Sequence, residues 1–222
     1  MAVRNVIIGR HSAVWRRLQA RVEGRAAETI AISHRELRDF AFAAGDRVWL
    51  MSYSRDAAEN SAMLAVLQRS QAGEIVYLSS SSTIVARRTG CYGYPRVKHQ
   101  AEQEALQLPN ARVLVVGAMH DSLSELPTGP SMATSYSELA EFFVDPRWPD
   151  EHARIRTLFT RIDRPFESGI ARWSHRLYGK LLLACGPLPC LLRPLDALLR
   201  MLGARWYGYT YLSTHLWTMT TS

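Results

Sequence analysis

Tyr94 and Lys98 stand four residues apart in the run Tyr-Pro-Arg-Val-Lys, and four serines, Ser79 to Ser82, lie a short way upstream. A tyrosine and a lysine at this interval on a helix project from one face, one turn apart. An ammonium beside a phenol favours the phenolate, so Tyr94 can act as general acid and base nearer neutral pH than a free tyrosine. A serine at a strand end can hydrogen-bond the same substrate oxygen. The chemistry such a set performs is proton transfer at a carbinol or carbonyl group.

Positioning these side chains takes a strand, a turn and a helix, and the stretch from Glu74 to Leu106 reads in that order. Ile75-Val76-Tyr77-Leu78 is an apolar, β-type run. A polar loop with Gly90 and Gly93 follows the serines, and the Ala/Glu/Gln-rich segment after Lys98 has good helix propensity. Pro95, directly after the tyrosine, is acceptable where Tyr94 opens the helix. Written out, YLSSSSTIV…YGYPRVKHQAEQEAL resembles the short-chain dehydrogenase/reductase superfamily, closest to its extended branch of nucleotide-sugar epimerases, dehydratases and reductases. The resemblance implies that Ser81 is the catalytic serine, with Ser80 as the alternative one residue away. It implies Tyr94 as acid/base, and Lys98 as the residue that lowers the tyrosine pKa and holds the ribose. Asn60 corresponds to the asparagine that positions that lysine through water; an ordinary surface asparagine is the alternative. The interval from serine to tyrosine is shorter than in typical sugar epimerases, which implies a trimmed substrate-gripping loop.

A second constellation lies at the N-terminus. Val3 to Gly9 reads as a short buried strand, and the residues after it carry Val14, Leu18 and Val22 at helical spacing up to Gly24. Strand, glycine and helix in succession place a phosphate at a helix N-terminus. The family pattern here is G-x-x-G-x-x-G, and this sequence offers Gly9, then Ser12, then Trp15. Ser12 is small and able to cap, whereas Trp15 is a large departure where helix and strand pack closely. Arg10 and His11 can offset lost amide contacts with charge. After the second strand, Glu28 to Ser33, come His34 and Arg35. Arginine there tilts the expected cofactor, NAD or NADP, toward NADP. The cofactor contacts implied by the resemblance are Gly9, Arg10, His11, Ser12, Arg35, Ser52, Lys98 and Gly117.

Further strands are expected over Asp46–Ser52 and Ala111–Gly117, alternating with helices such as the one through Ala58, Leu64 and Leu67. That alternation predicts an α/β protein with a doubly wound parallel sheet, which the resemblance makes Rossmann-like. Right-handed crossovers bring Gly9, Ser33, Ser52, Ser81 and Gly117 to one carboxyl edge. HRELRDF reads as a helix, and Ser135 stands three before Glu138 in a capping-box pattern. The expected division is residues 1–134 for the dinucleotide-binding unit and 135–222 for a small, mostly helical substrate lobe.

Composition narrows the partners. Hydrophobic residues make up 47% and charged residues 21%, with a mean hydropathy of −0.13, values of an ordinary globular protein. A net charge of +7 and a pI near 9.7 suit an anionic partner such as a nucleotide cofactor or a nucleotide-sugar substrate. No nucleic-acid module accompanies the charge, and no G-x-S-x-G elbow supports a hydrolase. The three cysteines form no C-x-x-C and the histidines no H-E-x-x-H, so no disulfide framework and no metal site are expected. No apolar run reaches the roughly 18 residues of a spanning helix, and a cytoplasmic protein is expected. The Leu/Arg/Trp-rich C-terminal segment, with Leu191, Leu195, Leu198, Leu199 and Leu202 on one face, suits peripheral contact with an anionic inner membrane face. Pairing of two copies is compatible with all of this.

Overall fold

Every predicted strand of the first 117 residues forms, and the inner four are apolar because they are buried on both faces, while the second lies half-buried at the sheet edge. In the computed structural model, which describes residues 3–52, 54–88 and 93–185 with positions 191, 194, 197, 198 and 201, these are β1 (Arg4–Ile8), β2 (Thr29–Ile32), β3 (Asp46–Leu50), β4 (Glu74–Ser80) and β5 (Ala111–Val116). They align in parallel in the order β2-β1-β3-β4-β5, and β8 (Ile155–Thr157) adds a sixth strand beyond β5. Parallel pairing needs crossovers, and right-handed crossovers put the covering helices on both faces. The sheet is the doubly wound, Rossmann-like α/β architecture expected.

Alternation along the strands divides the core in two. Ile8, Leu50, Ile75, Tyr77 and Val113 face α2 (Ala57–Gln68) and α4 (Gly93–Ala105) through Leu64, Leu67, Ala101 and Ala105. Ile7, Trp49, Val76, Leu78 and Leu114 face α1 (Ala13–Val22) and α5 (Tyr136–Val144) through Trp15, Leu18, Phe142 and Phe143. The buried stripe of α1 is Trp15, Leu18 and Val22, with Val14 at its margin. The Ser135 capping box forms as expected, its hydroxyl accepting from the Glu138 amide.

Three local differences have physical reasons. HRELRDF closes as a single 3-10 turn, Glu36–Arg38, because Leu37 is its one buried anchor. Residues after the serines form a short helix, α3 (Thr83–Arg88), where a polar loop is the sequence expectation. The Thr83 hydroxyl donates to the Ser80 carbonyl and the Ile84 amide to the Ser81 carbonyl, and these bonds start the turn. Finally, β6 (Ala118–His120), β7 (Gly129–Ser135) and β9 (Thr160–Arg164) build a second, three-stranded sheet. Short strands rich in Ser, Thr, Gly and Arg leave no apolar alternation to read. Both α5 and β8, which cover and complete the main sheet, lie after residue 134. The last helix described, α6, runs from Gly169 to Cys185.

Candidate functional site

At the topological switch point, β1 and β3 end side by side. The amides of Met51 and Ser52 both donate to the Ile8 carbonyl, at 3.0 and 2.9 Å, and those of Gly9 and Arg10 donate to the Ile32 carbonyl. Gly9 holds φ +118°, and a β-carbon there would stand 2.8 Å from the Ser52 nitrogen. Only glycine fits both conditions. The Ser12 amide then donates to the Gly9 carbonyl at 2.8 Å, and the Ser12 hydroxyl caps α1 by accepting from the Trp15 amide at 3.1 Å.

Above this turn lies a cleft of about 480 Å³ lined by Gly9, Arg10, His11, Ser12, Ser33, His34, Arg35 and Ser52. Every cofactor-contact residue expected on this side of the sheet lines it. Beside it, sharing His34, Arg35 and Ser52, is a second cleft of about 470 Å³ with an apolar wall of Leu37, Ala62, Met63 and Val66. Trp15 lines neither. It is 3% exposed and turned into the core, its ring centroid 5.9 Å from that of Phe143. The indole therefore fills the helix–sheet interface and leaves the carboxyl-edge cleft open.

Glu36, which the sequence reading passed over, organises the rim. Its carboxylate accepts from the Ser33 amide at 2.7 Å and from the Arg10 guanidinium. The Ser33 amide and hydroxyl, then Arg10, hold its pKa down to about 2. The Ser-x-x-Glu spacing of Ser33 and Glu36 was the signal available, since it is that of a capping box. Asn60 is 5% exposed, and its side chain is spent on the loop before α2. It accepts from the Ser54 amide at 3.0 Å and donates to the Ser54 and Asp56 carbonyls at 2.8 and 3.1 Å. Asn60 thus braces Ser54, a wall residue of the second cleft.

The serine, tyrosine and lysine expected to serve proton transfer stand farther along the same edge. Ser81 follows β4, 4% exposed, and its amide donates to the Val116 carbonyl at 2.7 Å, which ties it to the end of β5. Tyr94 lies in the first turn of α4, followed by a buried Pro95, and is 46% exposed. One turn on, Lys98 is buried against β4. Its ammonium donates to the Leu78 carbonyl at 2.7 Å and lies 5.0 Å from the centroid of the Tyr77 ring. Burial brings its pKa down to about 8, opposed by the charge of Glu102. Glu102 is fully buried and accepts from the Ser79 hydroxyl at 2.6 Å, with His99 Nδ1 at 3.6 Å. The sequence reading passed over Glu102, and its i, i+4 spacing from Lys98 was the signal available. Gly117 is explained by neighbouring backbone, since a β-carbon there would meet the Met132 carbonyl of β7 at 2.5 Å. Its amide donates to the Thr134 hydroxyl at 2.9 Å. Gly90 and Cys91, and most of the C-terminal segment with its leucine face, fall outside the described residues. Among the described residues no group of three His, Cys, Asp or Glu gathers as a metal site, and no helix is long and apolar enough to cross a membrane.

No protein-family model matches this sequence, and no curated protein matches it either. Solved structures do match in fold. A short-chain dehydrogenase/reductase superfamily protein from Agrobacterium tumefaciens, solved with NAD, superposes with a TM-score of 0.55 at 11% identity, over 72% of this protein and 79% of its own length. MoeE5, solved with UDP-glucuronic acid and NAD, gives 0.52 at 10% identity over 80% and 81%. A mutant UDP-glucuronic acid 4-epimerase from Bacillus cereus, with a fluorinated UDP-sugar and NAD, gives 0.52 at 9% identity over 72% and 79%. The likeness is one of fold: these structures share the Rossmann-like parallel sheet described above.

Proposed function

We propose that the protein is an NAD(P)-dependent enzyme of the sugar-nucleotide epimerase, dehydratase or reductase kind, acting on a hydroxyl or carbonyl carbon. The observation that carries this reading is Gly9, bare and at positive φ, at the switch point beneath an open cleft. That cleft and its apolar neighbour suit a pyrophosphate and an adenosine in sequence. Gly9 and the first turn of α1 would hold the pyrophosphate, with the positive end of the helix toward it. The wall of Leu37, Ala62, Met63 and Val66 would take the adenine, and exposed Arg35 favours a 2′-phosphate, hence NADP. When bound, the dinucleotide supplies hydride transfer at the substrate carbon. Tyr94 gives or takes the proton on the substrate oxygen, Ser81 holds that oxygen, and Lys98 places positive charge behind the tyrosine. The residues after 134 would form the substrate side.

A second reading, a degenerate relative that keeps the fold without nicotinamide turnover and acts as a binding or regulatory partner, is favoured by the engagement of Lys98 with the Leu78 carbonyl and of Arg10 with Glu36. Titration with NADH and NADPH, followed by thermal unfolding, separates the two readings. Binding at 100 times Kd raises stability by about 2.7 kcal/mol. Folded protein that binds neither dinucleotide overturns the first reading and supports the second. Binding followed by turnover of UDP- or dTDP-sugars that Tyr94→Phe abolishes supports the first; binding without turnover supports the second.

A further inference from the structure

Ten large hydrophobic side chains are exposed among the described residues, and six of them lie between positions 170 and 201. On α6 the inner side is fixed by a ring contact: His175 packs on Phe166 at 5.2 Å between centroids, and Phe166 in turn covers Gly129 of β7. The outer side carries Ile170, Trp173 and Leu177, exposed to 79%, 64% and 41%. These recur at i, i+3 and i+7 and so form one stripe. Beside it runs a second stripe of exposed Arg172, Arg176 and Lys180, at i, i+4 and i+8. From Gly169 to Ser222 the sequence has six Lys and Arg residues and a single acid, Asp196.

We infer that α6 lies flat on an anionic lipid surface, with Trp173 at the boundary between headgroups and acyl chains. An exposed apolar stripe flanked by cations is the pattern of an interfacial helix, and tryptophan favours that depth. The near absence of carboxylates selects an anionic surface, because each cation near such a surface adds attraction and no acid opposes it. No described helix is long and apolar enough to cross a bilayer, so the contact is along the surface. The inference does not depend on what occupies the carboxyl-edge clefts.

The experiment is flotation of the full-length protein with vesicles of phosphatidylcholine alone and of phosphatidylcholine mixed with phosphatidylglycerol. The expected result is flotation with the mixed vesicles at low salt and its loss at high salt. Arg172→Gln, Arg176→Gln and Lys180→Gln together should weaken partitioning by about a hundredfold, at about fivefold for each charge. Ile170→Ser with Trp173→Ser should abolish flotation while leaving the unfolding midpoint unchanged, since both side chains are exposed. Brominated lipid should quench a fluorescence component that Trp173→Phe removes. Absence of flotation with the mixed vesicles overturns the proposal, as does flotation insensitive to all these variants. A concentration-dependent dimer that needs Trp173 and forms in place of vesicle binding overturns it too, because a second copy would then be the occupant.

Discussion

The ammonium of Lys98 donates to the carbonyl of Leu78 at 2.7 Å, beneath the strand that ends in the four serines. Leu78 lies one residue past the last β3–β4 pair, Leu50 with Tyr77, so the lysine serves backbone beyond the end of that pairing. One helical turn on, Glu102 accepts from the Ser79 hydroxyl at 2.6 Å. Two polar contacts therefore fix α4 against β4. They set where Tyr94, in the first turn of the helix, stands relative to Ser81 at the strand end. Buried polar bonds between α4 and β4 thus help to place Tyr94 relative to Ser81.

Burying that ammonium has a cost that pH can reveal. With the pKa of Lys98 lowered from 10.5 to about 8 by burial, the unfolded state binds the extra proton between these two values. Stability therefore rises with pH across that window, and the cost is fully present below pH 8. Comparison of wild type with Lys98→Met by urea unfolding from pH 7 to 10.5 should show the wild type gaining on the variant, by on the order of 3 kcal/mol. A difference independent of pH would mean that the lysine is solvated in solution.

Gly9→Ala should separate backbone from chemistry. Its φ of +118° and the Ser52 nitrogen 2.8 Å from the missing carbon both oppose a side chain. Alanine there forces the ends of β1 and β3 apart, at a cost of about 1 to 3 kcal/mol. NADH and NADPH binding, measured where the variant is still folded, should fall with it. Unchanged stability and unchanged binding would remove the turn from the site.

The carboxylate of Asp46 is 1% exposed and joins the starts of β1 and β3, accepting from Arg4 Nε and Nη2 at 2.8 and 2.7 Å and from the Ala43 amide at 2.8 Å. The bonds from Arg4, helped by the Ala43 amide, hold its pKa below the usual carboxylate range. Asp46→Asn keeps the shape and removes the charge that Arg4 answers. A loss of about 2 to 4 kcal/mol in chemical denaturation is expected. A loss under about 0.5 kcal/mol would class the pair with ordinary surface bridges.

The parallel sheet was legible because strands buried on both faces carry continuous apolar runs: VII within VRNVIIG, VWLM within DRVWLMS and VLVV within ARVLVVG. The first cleft was legible for a related reason, since a glycine after the first strand has few other uses. Trp15 was harder, because spacing gives the position of a bulky residue and not its direction, and here the ring turns into the core. The second sheet escaped notice because Gly129–Ser135 reads locally as a turn and a cap, and only its partners β6 and β9 make it a strand. Glu36 and Glu102 were missed as single acids. Their importance comes from Arg10 and Ser79, which are distant in sequence.

The clamp of Ser33, Glu36 and Arg10 at the rim of the first cleft should show its own pH signature. Glu36 is held to about 2 in the folded protein against an ordinary value of 4.5, so the folded state binds fewer protons between those limits. Its contribution is fully present above pH 4.5 and lost as the pH falls through about 2. The unfolding midpoint of the wild type should therefore exceed that of Glu36→Gln by a constant margin from pH 7 to 5, and the margin should shrink from pH 4.5 to 3. Freed from the carboxylate, Arg10 turns to the cleft, so Glu36→Gln should also bind NADPH severalfold more tightly at low salt, as favours an added positive potential. A margin that does not change with pH, together with unchanged NADPH affinity, would mean that the clamp does not hold Arg10 in solution.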